Sequence, residues 1–117
     1  MSYVIKQPDS FKKELDHIFK KFPKAKKSIQ KAIQEIAKNI QRTNVIPGFQ
    51  EVGIEVRKAR IKIKEYNISA SKGLRLVFLV KEDKIVLCHI YHKAEYKSEQ
   101  RELDKLKKAL KHISQEI

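Results

Sequence analysis

The chain has 117 residues, 41% of them hydrophobic and 35% charged, which suits one modest core under an ionised surface and leaves no room for a second. Lysine and arginine number 27 against 14 acidic residues, a net +13 that self-repels unless a polyanion or an acidic partner is near, so nucleic acid is the leading class of partner. The longest unbroken apolar run, Leu76 to Val80, is far too short to cross a bilayer, and the N-terminus lacks the pattern of a secretory leader, so the expected location is the cytoplasm with no membrane partner.

In chain order, Tyr3-Val4-Ile5 reads as a short strand that Pro8 closes. Asp9 or Ser10 caps a first helix, on which Phe11, Leu15, Ile18, Phe19 and Phe22 share one stripe. Pro23 stops it and opens a second helix with Ile29, Ala32, Ile33, Ile36, Ala37 and Ile40 on one face, so the two form a helical hairpin. Lys24, Lys26, Lys27, Lys31 and Lys38 read as a solvated outer face rather than an RNA-binding one.

Beyond Thr43, Pro47-Gly48 marks a turn and Gly53 a flexible or close-packed position. From Lys58 to Lys64 the period drops to two, with Ala59, Ile61 and Ile63 facing one way and Lys58, Arg60, Lys62 and Lys64 the other. Tyr66 to Gly73 is a loop. Leu74 to Lys81 and Ile85 to His92 are strands joined through Glu82-Asp83-Lys84; the first is apolar on both sides except for Arg75, so it belongs in the middle of a sheet. Ser98 caps a terminal helix carrying Leu103, Leu106, Leu110, Ile113 and Ile117 on a narrow stripe, which docks on the sheet or on a partner chain. The expected architecture is α+β, one domain over residues 1–117 in the order strand-helix-helix-strand-strand-strand-helix.

The basic strand is the most informative chemical feature. Five of the eight residues from Arg57 to Lys64 are cationic and none is acidic. Such a row makes a phosphate track, with Arg57, Lys58, Arg60 and Lys72 as RNA-binding candidates; the competing explanation is an exposed edge strand kept from aggregating by its lysines. Conventional catalytic patterns are missing: there is no Gly-rich phosphate loop, zinc spacing, or Ser-His-Asp or Cys-His set, and no metal or cofactor is expected. The single cysteine, Cys88, reads as a buried reduced thiol. His89 and His92 are three apart on a strand and so face opposite ways, with His92 the candidate for proton transfer. Arg75 either pairs internally with Glu65, Glu82 or Glu95 or aims its fork at a phosphate.

Three segments together are similar to the C-terminal half of RelE/HigB-type toxins of bacterial toxin-antitoxin systems: Arg57 to Lys64, Lys72 to Phe78, and Ile85 to Glu95. The resemblance implies a RelE-like fold, with a helical hairpin packed on a mainly antiparallel sheet. It also implies a cytosolic, ribosome-dependent endoribonuclease that cleaves mRNA, inhibits translation and is silenced by a cognate antitoxin. Carried over by position, it assigns Arg60, Lys62 and Lys64 to the family's basic strand, Arg75 to its strand arginine, and Lys93 to the basic residue after the last strand; Tyr91, Lys93 and Glu95 alternate as in the HigB-like branch. The chemistry fits without a metal, because the RNA 2′-hydroxyl can attack the adjacent phosphate. Lys62 or Lys64 is then the candidate base, Arg75 the phosphate holder, and Lys93, His92 or Tyr96 the acid. The rival expectations are a non-catalytic RNA- or ribosome-binding module and a ParE-like inhibitor of DNA gyrase.

Overall fold

The computed structural model describes residues 3–46 and 54–93. β1 (Val4–Lys6) leads into α1 (Asp9–Lys21). The cap is Pro8 rather than Asp9 or Ser10: its extended backbone turns the chain into the helix, its carbonyl accepts from the N–H of Lys12 at 3.1 Å, and no side chain caps. Asp9 in the first turn, with Lys20 and Lys21 in the last, complements the helix dipole. Pro23 opens only a 3₁₀ turn, Pro23–Ala25, and α2 (Lys26–Lys38) follows it. Ile40 falls on a second 3₁₀ turn, Ile40–Arg42, beyond the helix end at Asn39.

A two-residue strand not anticipated from the sequence, β2 (Asn44–Val45), precedes β3 (Ile54–Ile61), β4 (Leu74–Lys81) and β5 (Lys84–His92). The sheet order is β1-β5-β4-β3-β2, with β1 parallel to the start of β5 and the other neighbours antiparallel. The result is a compact α+β domain with two helices and a five-strand mixed sheet among the described residues, and β4 lies at its centre as its apolar character requires. The β4–β5 hairpin turns at Glu82, which takes a positive φ of 55°, and its register slips between Val77 and Phe78.

One face of the sheet supplies Ile61, Leu74, Leu76, Phe78, Leu87 and Ile90 to a core shared with Phe11, Ile18, Phe22, Ile29 and Ile33 of the helical hairpin. The alternate strand positions, Val56, Val77, Leu79, Val86, Cys88 and Tyr91, form a second buried cluster on the opposite face. Burial pushes the Cys88 thiol up to about 12, so it stays protonated, as the sequence suggests. No helix among the described residues is long and apolar enough to cross a membrane. Pro47, Gly48, Gly53, Glu95, Tyr96 and the helix expected from Ser98 to Ile117 lie outside the described residues.

Candidate nucleic-acid interface

The basic strand is shorter than its alternation suggests. β3 begins at Ile54 and ends at Ile61; Ile63 forms an isolated bridge to Ile68, and Lys64–Tyr66 is a 3₁₀ turn closed by Asn67 at a φ of 54°. The inward residues behave as expected, with Ile61 and Ile63 buried and Ala59 half-buried, while Arg60, Lys62 and Lys64 are exposed. Arg57 does not join them. It lies opposite Phe78, on the helix-facing side, and its Nη1 donates to the carbonyls of Ile40 at 3.1 Å and Thr43 at 2.9 Å while its Nη2 meets Glu55 at 3.0 Å.

The 3₁₀ turn that carries Lys64 is fastened to the corner of the helical hairpin. Tyr66 stacks edge-on against Phe22, with centroids 5.1 Å apart, and its hydroxyl accepts the Lys24 N–H at 3.1 Å. Ser28 Oγ donates to the Glu65 carboxylate at 2.8 Å. The Glu65 backbone N–H first, and then the Ser28 bond, hold the carboxyl below its ordinary value.

The same end of the sheet gathers the other site candidates around residues 69–73. Gly73 is pressed against β3: a Cβ there would lie 2.1 Å from the Ile61 carbonyl oxygen, so only glycine permits the approach. Four consecutive carbonyls of this segment then accept hydrogen bonds from the domain. Arg75, 5% exposed, spans two of them, Nη1 to Ala70 and Nη2 to Ser71, both at 2.9 Å. His92 Nε2 meets the Lys72 carbonyl at 3.2 Å, and the Lys93 N–H donates to the Gly73 carbonyl at 3.2 Å. Lys21 Nζ has only hydrogens to give, so at 3.0 Å it makes His92 Nδ1 the acceptor, which leaves the proton on Nε2 for Lys72.

Neither internal carboxylate named for Arg75 within the described residues matches this arrangement: Glu65 is turned to Ser28, and Glu82 sits at the far end of β4. His92 and His89 lie opposite Leu74 and Val77, which belong to opposite faces, as their spacing demands. His89 instead pairs with Glu14 of α1. Lys72 and Lys93 are exposed at the strand ends.

β2 covers only Arg57 and Lys58, so the outer edge of β3 from Ala59 onward has no neighbouring strand among the described residues. Between that edge and α2 lies a groove of about 500 Å³, floored by Ala32, Ile61 and Ala70 and rimmed by Lys31, Arg60, Lys62 and Lys64, with Glu35 the one carboxylate in its wall among the described residues. A second cleft of about 390 Å³ adjoins it through Glu35 and Arg60 and adds Arg42 and Lys58. Lys31 and Ser28 are not legible as site residues because a polar side chain on a helix face carries no information about what lies across from it. The groove can hold an extended polyanion with its charges on the rims and apolar groups on the floor. No family model, no curated protein and no solved structure matches the chain.

Proposed function

We propose that this chain binds single-stranded RNA along the groove between α2 and β3 and cleaves ribosome-bound mRNA there, as the toxin of a toxin-antitoxin pair. The observation that supports this reading most is the convergence of Lys31, Arg60, Lys62 and Lys64 on one groove, against Glu35 alone among the described residues. Four cations at a groove repel one another and gain nothing for folding, so their arrangement fits a polyanionic ligand. The RelE/HigB resemblance adds the reaction. The substrate supplies its own nucleophile, the 2′-hydroxyl; in this reading Lys62 or Lys64 takes its proton, the neighbouring cations offset charge on the phosphorane, and Lys93 is the proposed acid for the leaving oxygen. Arg75 and His92 serve this site from within: they hold residues 70–72 through main-chain carbonyls.

That same commitment of Arg75 and His92 favours a second reading, a ribosome- or RNA-binding module without chemistry. A translation reaction with primer-extension mapping separates the two. New 5′ ends within ribosome-bound message, lost in the Lys62→Met Lys64→Met variant, are the expected result; stalling without cuts supports the binder, and inhibition of DNA gyrase in place of translation overturns both. An acidic protein encoded beside this chain should copurify with it and suppress the cuts.

A further inference from the structure

We infer that the outer side of the Ser69–Lys72 turn is a seat for a phosphate group, and the inference rests on the proposed RNA reading only for the source of that phosphate. The domain takes hold of this turn by its oxygens. Arg75 draws in the Ala70 and Ser71 carbonyls and His92 the Lys72 carbonyl. In a trans peptide the N–H points opposite the carbonyl of the preceding residue, so pulling the Ala70 oxygen inward turns the Ser71 N–H outward. Neither the Ala70 nor the Ser71 N–H takes part in the backbone hydrogen bonds of the described residues.

The side chains continue the pattern. Ser69 and Ser71 are exposed and their hydroxyls hydrogen-bond to each other at 3.1 Å, close enough for both to turn their protons to one tetrahedral oxyanion. Lys72 is exposed beside them, and the guanidinium of Arg75 lies buried directly behind the turn, adding positive potential to amides already aimed at solvent. Donors of three kinds, amide, hydroxyl and ammonium, thus belong to one short turn, residues 69–72, which itself carries no carboxylate. Ala70 also lines the groove that holds Lys62 and Lys64, so a phosphate seated here lies in line with the rest of an RNA strand in that groove. A tetrahedral phosphate suits this donor set better than a planar carboxylate, which offers only two oxygens.

Amide resonances of the full chain, followed while inorganic phosphate or a short single-stranded RNA is added, test the seat. The Ala70 and Ser71 amides should shift with both, at lower concentration with RNA. The Ser69→Ala Ser71→Ala variant should bind RNA about 3- to 10-fold more weakly, the loss of one or two hydroxyl bonds to an anion. RNA binding that leaves those amides unmoved, or full affinity in the double variant, overturns the seat while the RNA reading stands. Amides that respond to phosphate in a protein that ignores RNA support the seat and overturn the proposed function. Silence toward both overturns the seat.

Discussion

Gly73 shows how much of the site depends on one missing atom. Its α-carbon sits where a side chain would collide with the Ile61 carbonyl oxygen, a backbone atom that cannot swing aside. The approach brings the turn of residues 69–72 against the end of the basic strand, and Arg75 then spans two of its carbonyls with a fork that lysine lacks. Gly73→Ala should cost about 2 kcal/mol or more in urea unfolding, because strand or turn must move. An unchanged midpoint would show that β3 and the turn are not in contact in solution. Glu65 offers a test at acid pH. Its folded-state pKa lies below the ordinary 4.5, so its contribution is present above that pH and is lost as pH falls through the lowered value. Glu65→Gln should therefore be less stable than the native chain near neutrality, and the gap should close as pH falls through the lowered value. A stability gap independent of pH would mean that the Ser28 bond does not depend on the carboxylate charge.

At the scale of elements, the period of the sequence carries most of the architecture. Phe11, Ile18 and Phe22, and then Ile29 and Ile33, fall on helical stripes and reach the core that those stripes imply. The two-residue alternation around Ala59 and Ile61 likewise gives the correct face to each residue. What periodicity lacks is any measure of where pairing stops. β3 ends before Lys62 because Ile63 finds Ile68 within its own loop, a contact that depends on the left-handed Asn67 and not on alternation. β2 is invisible for a related reason: two exposed residues paired only with Lys58 and Arg57 leave no pattern. Residue type alone points Arg75 to a carboxylate or a phosphate; among the described residues a neighbouring turn also supplies main-chain oxygens, which no residue type advertises. Lys31 and Lys38 look alike in sequence, yet only Lys31 faces the groove. Lys31→Glu should weaken RNA binding roughly tenfold at low salt, by replacing an attraction with a repulsion beside the strand, and Lys38→Glu should change it little. Equal effects of the two would reduce the groove to a general surface charge.

For the molecule as a whole, the surplus of 27 basic over 14 acidic residues admits two explanations that differ in how charge is distributed. A uniformly positive surface attracts polyanions diffusely, whereas a groove binds a fixed number of phosphates and releases a fixed number of counterions. Lys31, Arg60, Lys62 and Lys64 line one groove, with Arg42 and Lys58 in the cleft that continues it. Engagement of roughly 4 to 6 phosphates of a single strand corresponds to a slope of about −3 to −4 in log affinity against log salt. Affinity should accordingly fall on the order of 10²-fold between about 50 and 200 mM salt. The discriminating measurement is the change of slope with substitution. Lys62→Gln Lys64→Gln removes two phosphate contacts and should lower the slope by about 1 to 1.5, while Lys27→Gln Lys38→Gln removes the same net charge away from the groove and should leave the slope in place. If both pairs lower it alike, the cations act through net charge alone, and neither the groove nor a cleavage site within it can be assigned to this face of the sheet.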